Sequence, residues 1–307
     1  MNTRRIAAIA LSSRDFDSFE HRLDEACRWV SLAARMGAEL AVLPEALNLW
    51  RGDGPGNTLA LNALEVACED WQTECRTLLD CAREERIAVT VPIYEREGGG
   101  CVNCFHLVSA GGEALGRYVK THPTGGEMDE GVLPAEQNAP IEWDGIMVGG
   151  AICYDIEFPH VFAEQHRQGA RLFLCPSLTP GGDKLNFHCA SLACPLVLAY
   201  PAWSRIIDIL GHDVVAGGYR HETLRFGFGV PVYVADVNLD SAAFSFGPGR
   251  NQESIEAILR QYGSAVKLTF DQHNCRYSIE VVSPDLTIGQ VIEEFGLIPI
   301  TGGITGA

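Results

Sequence analysis

The sequence predicts an α/β fold in which a mixed sheet, or two sheets packed together, carries helices on the outside. Three observations predict it. Apolar residues recur at helical spacing in two early segments. Short β-favouring runs alternate with those segments through the first half, and paired runs around glycines dominate the middle. At 307 residues the chain is long enough for one large domain or two small ones.

Arg5–Leu11 reads as a first strand, and Phe16, Phe19, Leu23, Ala26, Cys27, Val30 and Ala34 mark one face of a helix that stops at Gly37. Leu40–Leu43 is a short strand running into Pro44-Glu45. After a glycine-rich loop, Leu61, Leu64, Cys68, Trp71, Cys75, Leu78 and Ala82 predict a second helix. Ile87–Tyr94 is a strand, and Val102–Val108 with Ala114–Lys120 a hairpin around Gly111-Gly112. Ile146–Cys153 and Leu172–Cys175 are nearly continuous apolar strands, with Phe158-Pro159 opening a helix between them. Later strands are expected at 195–199, 204–209, 213–216 and 230–237. Beyond Phe246, Gly247-Pro248-Gly249 breaks the chain, and a helix, two strands and a helix follow. This divides the chain into residues 1–245 and a C-terminal extension, 246–307, packing on the same or a partner subunit.

Composition removes several classes of function. With 23 basic and 40 acidic residues the net charge is −17, so no footprint for nucleic acid or an anionic membrane is present. The longest apolar runs, such as Cys194–Trp203, fall well short of the roughly 20 residues that span a bilayer. Only Ile6–Leu11 is apolar near the start, too little for a signal peptide. The expectation is a soluble, cytoplasmic protein. Eleven cysteines, an odd number at irregular spacing, read as free thiols, mostly buried. Cys101 and Cys104 form the one Cys-x-x-Cys pair; a zinc ribbon needs a second, so no metal is expected. His160, His166, His188, His212 and His221 show no metal-ligand spacing either.

Glu45, Lys120 and Cys153 share a local context, each at the C-terminal end of an expected strand, where side chains from distant positions converge on ligands. A thiol attacks as thiolate, a carboxylate can take its proton, and a lysine supplies positive charge. Lysine is scarce, at positions 120, 184 and 267 only, so its use here over arginine points to a need for a compact ammonium.

The surrounding words are more specific. Leu43-Pro44-Glu45, Gly116-Arg117-Tyr118-Val119-Lys120-Thr121-His122 and Gly150-Ala151-Ile152-Cys153-Tyr154-Asp155, with Phe158-Pro159 following, resemble the carbon–nitrogen hydrolase (nitrilase) superfamily. Tyr94-Glu95-Arg96, Asn103, Gly169-Ala170-Arg171 and Pro176-Ser177 fall in the expected order between and after them, and the resemblance covers most of residues 4–240. It implies a four-layer α-β-β-α sandwich with mixed sheets, dimerising through its helical layer or assembling further. It implies Cys153 as nucleophile, Glu45 as general base and later acid, and Lys120 with the Tyr154 backbone N–H as oxyanion donors. A second glutamate commonly follows the lysine; Glu127, seven residues on, and Glu130, four before Pro134, both qualify, with Glu127 favoured.

The implied reaction transfers an acyl group from nitrogen to water through a thioester, with no metal or organic cofactor. Tyr154-Asp155 after the cysteine is more typical of amidases and carbamoylases, whereas true nitrilases place Trp-Glu there. Lys120-x-x-Pro123-Thr124 points the other way. The expected substrate is a small amide or N-carbamoyl compound; a nitrile, acyl transfer to another acceptor and a non-catalytic binding role stand as alternatives. Tyr154, Trp50 and Trp203 are candidates to line the pocket, with Arg51 and the loop at Gly125 beside them. Asp155 and Glu157 read as structural, pairing with arginines, and His122 as a packing residue. Phe187–Ala199 departs from the family pattern, which there carries a helix rich in Arg-Ala-x-Glu-Asn.

Overall fold

The computed structural model describes residues 3–12, 18–49, 62–218, 230–246 and 250–300. Strand β1 (Thr3–Ile9) leads to helix α1 (Phe19–Arg35), whose Ser18 hydroxyl accepts the His21 amide at 3.1 Å, and then to β2 (Leu40–Val42). Where one long helix was expected, three short ones follow: α2 (Ala63–Val66), α3 (Trp71–Glu74) and α4 (Arg76–Glu85). Cys68, Trp71, Cys75, Leu78 and Ala82 are buried as their spacing required. The helix is interrupted because Cys68 pairs with a neighbouring strand, its amide to the Tyr94 carbonyl and its carbonyl to the Arg96 amide. Asn62 caps the start before that break and Asp70 the fresh start after it.

Strands β3 (Ala88–Glu97), β4 (Gly100–Val108) and β5 (Ala114–Val119) form a meander. Beyond them lie α5 (Gly125–Asp129), β6 (Ile141–Trp143), β7 (Ile146–Gly150), α6 (Pro159–Arg167), β8 (Leu172–Pro176), α7 (Asp183–Leu192) and β9 (Leu196–Ala199). β10 (Ser204–Ile207), β11 (Asp213–Gly217) and β12 (Val232–Asn238) complete two six-stranded sheets, ordered β12-β1-β2-β3-β4-β5 and β11-β10-β9-β8-β7-β6. β1–β3 run parallel in one and β7–β9 in the other, each flanked by antiparallel partners.

The sheets stack face to face. Along β1, Ile6 and Ala8 turn toward the second sheet, while Ala7 and Ile9 turn toward α1 and α4. On the far side, Phe162 of α6 and Leu185 and Cys189 of α7 join the core built on the second sheet. The result is the four-layer helix–sheet–sheet–helix sandwich. α7 overlaps the start of Phe187–Ala199, where the family's helical motif is hardly recognisable. Its buried stripe, Leu185, His188, Cys189 and Leu192, has helical spacing, but a histidine and a cysteine take half the places of aliphatic residues.

Residues 241–300 form a smaller unit on the end of the second sheet. β13 (Ser241–Ser245), β14 (Val266–Asp271) and β15 (Arg276–Val281) make an antiparallel sheet ordered β13-β15-β14, with α8 (Arg250–Tyr262) and α9 (Ile288–Phe295) beside it. Phe244, Ile258, Tyr277, Ile279 and Val291 give it a core of its own. It meets the sandwich of its own chain through Arg276, which donates to the Ala190 carbonyl at 2.7 Å, and through Ile209, Leu210 and Ala243. Among the described residues, no helix is long and apolar enough to cross a membrane.

Gly150 shows how tightly the sheets approach. A Cβ there would lie 2.5 Å from the Tyr118 ring and 2.8 Å from Phe105 on the opposing sheet. Gly150→Ala should therefore cost roughly 1–3 kcal/mol of stability, the usual penalty of overpacking. Gly125→Ala, where a Cβ meets nothing within 4 Å, should change it little. Urea denaturation of both variants tests this; equal midpoints would refute the close approach.

Candidate active site

Glu45, Lys120 and Glu127 converge where the first sheet ends. Glu45 follows β2 and is 2% exposed; Lys120, one residue past β5, is 1% exposed and stays in register because its amide donates to the Asn103 carbonyl at 2.8 Å. Lys120 Nζ lies 3.0 Å from Glu45 Oε1, and 2.9 and 2.8 Å from the two oxygens of Glu127. Glu127 arrives on α5, where it closes a capping box with Thr124: its Oε2 accepts the Thr124 amide at 2.8 Å, and Thr124 Oγ1 accepts the Glu127 amide. Glu130 points elsewhere, accepting the Ala63 amide at the start of α2. Of the two glutamates left open by the sequence, the structure brings Glu127 to the lysine and sends Glu130 to a helix start.

Three groups join that the sequence reading did not place in the site. Asn103 Nδ2, on β4, donates to Glu45 Oε1 at 2.7 Å and Glu127 Oε1 at 2.8 Å, bridging both carboxylates. Tyr94 Oη donates to Glu127 Oε1 at 3.2 Å, and the Leu178 amide to Glu45 Oε2 at 2.8 Å. Asn103 and Tyr94 were legible only as members of family words; their positions on adjacent strands are what turn them inward. Leu178 contributes only its backbone, for which a sequence carries no signal.

Cys153 sits beside this cluster. The expected strand ends at Gly150, and Cys153 opens a short 3-10 turn, Cys153–Glu157, with φ of 48°. Ala46, next to Glu45, has φ of 57°. Positive φ is uncommon for residues other than glycine and concentrates at functional sites held by their surroundings. For Ala46 the surroundings include Arg22 of α1, fully buried, whose guanidinium donates to the Ala46 and Leu49 carbonyls.

Asp155 fixes the Cys153 turn. It is fully buried, and its carboxylate accepts the Ile152 amide at 3.0 Å, the His122 amide at 2.8 Å and the Tyr118 hydroxyl at 2.9 Å. The turn carrying Cys153 is thereby tied to the strand end carrying Lys120. Asp155 and Glu157 do not pair with arginines as expected: Asp155 uses backbone amides, Tyr118 and the His122 ring, and Glu157 pairs with Lys184. His122 stacks on Phe158 at 3.7 Å, a packing role. Tyr154 is 41% exposed and meets Phe158 edge-on. Trp203 lies half-buried in the turn between β9 and β10, where its amide donates to the Tyr200 carbonyl. Trp50 and Arg51 lie outside the described residues.

The electrostatics follow from burial and charge. Burial disfavours the Lys120 ammonium, but Glu45, Cys153 and Glu127 outweigh it and hold the lysine above its ordinary range. Burial also works against the Glu127 carboxylate, yet Lys120, the Thr124 amide and Asn103 bring it below its usual range. Burial first and then the Glu45 carboxylate push the Cys153 thiol up, against the opposing pull of Lys120 and the Leu178 amide. A carboxyl held low in the folded state stabilises above its ordinary pKa near 4.5 and loses that contribution as pH falls below it. Glu127→Gln should therefore lose less melting temperature than the parent between about pH 6 and pH 3. Thermal melts across that range check it, and parallel curves would show that the pairing contributes nothing.

The profile of the carbon-nitrogen hydrolase family matches residues 5–193. A "Deaminated glutathione amidase" of Synechocystis sp. is 28% identical over 182 residues, which cover 56% of this chain and 65% of that protein. An "(R)-stereoselective amidase" of a Pseudomonas species is 30% identical over 170 residues, covering 55% and 58% respectively. The chain thus spans somewhat less than two thirds of the curated relatives' length. Among solved structures, an amidase from Nesterenkonia sp. superposes with a TM-score of 0.63 at 23% identity, over 76% of this chain and 90% of that one, a likeness of fold. A family profile that runs through the segments bearing Glu45, Lys120 and Cys153, on a sandwich of this architecture, places the chain in the carbon-nitrogen hydrolase family.

Proposed function

We propose that the protein is a thiol-dependent hydrolase that cleaves the non-peptide C–N bond of a small amide or N-carbamoyl compound through a thioester on Cys153. The observation that carries this reading is the buried ammonium of Lys120 held between Glu45 and Glu127, with Cys153 responding to both Glu45 and Lys120. Two carboxylates and one ammonium give the cluster one net negative charge. A free thiolate would add a second, and burial first and then the Glu45 carboxylate hold the proton on sulfur. Moving the Cys153 proton to Glu45 as sulfur attacks leaves the total charge unchanged.

In this mechanism the thiolate adds to the carbonyl carbon and the negative charge moves to oxygen. Lys120, kept protonated by its neighbours, faces that charge. The Tyr154 amide, in the first turn of the 3-10 segment and so without an intrahelical partner, is the second donor. Collapse of the tetrahedral species breaks the C–N bond, and Glu45 returns its proton to the departing nitrogen. Water then enters, Glu45 takes a proton from it as oxygen attacks the thioester carbon, and the proton passes to the departing Cys153 sulfur, releasing the acid. Glu127 keeps Lys120 charged and positioned through both halves. Glu45, Lys120, Glu127 and Cys153 carry the chemistry, and Tyr154 and Trp203 are assigned to substrate binding.

The names of the relatives support an amide over a nitrile. Two are called amidases, and a variant of the Nesterenkonia amidase carries the acetamide moiety of fluoroacetamide on its active-site cysteine. An "Aliphatic nitrilase" of Rhodococcus rhodochrous is also similar, at 31% identity over 132 residues, so nitriles belong in the assay. Ammonia release should be seen with one class among primary amides, N-carbamoyl amino acids and nitriles. It should vanish in Cys153→Ala and fall on the order of 10²–10³-fold in Lys120→Met, the typical effect of losing one oxyanion donor. Turnover surviving in Cys153→Ala, or absent from the parent across the panel, would overturn the proposal.

A further inference from the structure

A second polar cluster lies on the outer face of the first sheet, away from the reacting thiol. Residues two apart on a strand share a face, so Cys104 and His106 of β4 point the same way. Cys101, three residues from Cys104, turns to the opposite side and packs with Ala46, Tyr94 and Val132. The Cys-x-x-Cys spacing weighed in the sequence therefore straddles the sheet, and the relevant pattern is Cys104-x-His106. Glu95 of β3 completes the group. His106 Nε2 lies 2.9 Å from Glu95 Oε2 and 3.8 Å from Cys104 Sγ, and Cys104 Sγ lies 3.5 Å from Glu95 Oε2. The Trp71 ring stacks on the imidazole at 3.8 Å and roofs the group. Among the described residues it is the one set of three or more His, Cys, Asp or Glu whose ligating atoms are close enough to share an ion.

Tetrahedral zinc bonded to nitrogen and oxygen at about 2.0 Å and to sulfur at about 2.3 Å has ligand-to-ligand edges of about 3.3 Å for N–O and about 3.5 Å for S–N and S–O. The three observed separations lie within a few tenths of an ångström of those edges. We propose that Glu95, Cys104 and His106 form a structural site for a borderline-soft divalent cation, zinc above all. These side chains supply three of the four positions of a tetrahedral ion. Such an ion would tie β3 and β4 at one point.

Arg117 is the group that competes with the ion, since its Nη1 donates to Glu95 Oε2 at 3.0 Å. Its other nitrogen is held by Glu97 at 2.8 Å, and the side chain is about a third exposed, so it can keep Glu97 and release Oε2. The charges then balance: the Glu95 carboxylate and the Cys104 thiolate neutralise the dication, and Arg117 stays paired with Glu97. Metal binding releases the Cys104 proton, which burial otherwise holds on sulfur.

The test is titration of the full-length, chelator-treated protein with Co²⁺. The expected result is uptake of one equivalent, with thiolate-to-cobalt charge-transfer absorption in the near ultraviolet. That absorption should be lost in Cys104→Ser and weakened in His106→Ala, and kept in Cys101→Ser and Cys153→Ala. No uptake, or a band that survives Cys104→Ser, would show the cluster to be an ion-pair network alone. If Cys104→Ser fails to fold by circular dichroism, X-ray absorption of the zinc-loaded parent decides. Sulfur at about 2.3 Å supports the site, and a shell of nitrogen and oxygen only overturns it.

Discussion

A single buried ammonium organises this molecule. Taking the Lys120 charge out of water costs on the order of several kcal/mol, and only close, well-aligned anions offset that. Two carboxylates do so here, and each must be carried in from a different part of the chain. Glu45 comes on the turn after β2, Glu127 on α5, and Asn103 on β4 locks both. A five-residue helix such as α5 has no stability of its own. It persists because Glu127 serves both as its cap and as the partner of Lys120. The requirement to satisfy one lysine therefore sets the course of three connecting segments.

A second polar node couples Cys153 to that arrangement. Among the described residues no arginine or lysine pairs with Asp155; backbone amides, a phenol hydroxyl and the His122 ring satisfy its carboxylate. Such an acceptor holds geometry more than it contributes net stability, because charge-assisted bonds to amides are short and directional. It spans the two sheets, from the end of β5 on one to the turn after β7 on the other. Gly150 allows those sheets to come close enough for this bond, by leaving room for Tyr118. The active-site contact between sheets and the tight packing of the core are thus one constraint.

Much of this was legible in the residues. The alternation of strands and helices and the helical stripe of α1 follow directly from apolar spacing. Glu45, Lys120 and Cys153 stood out because their residue types occur at strand ends within specific words. The failures have physical causes. Periodicity alone cannot see that Cys68 prefers a β-bridge to a helical turn, since the competing partner, Glu95, is distant in the chain. The stripe of α7 was hidden because histidine and cysteine carry no helical signal there, although His188 is buried and donates from Nε2 to the Ile156 carbonyl at 2.9 Å. The choice between Glu127 and Glu130 needed the direction of α5, which a count of residues does not contain.

The two left-handed residues at the site, Ala46 and Cys153, bring these arguments together. Each lies next to or at a group whose side chain must point into the gap between sheet ends, and each is held in an unfavourable backbone conformation by polar anchors on either side. Arg22 anchors the first and Asp155 the second. The strain is tolerated because releasing it would withdraw Glu45 or Cys153 from Lys120 and leave the ammonium with fewer partners in a buried setting. Stability and the proposed chemistry pull the same way here: the ion cluster that holds the turns is the one that keeps the lysine charged, as the proposed acyl transfer requires.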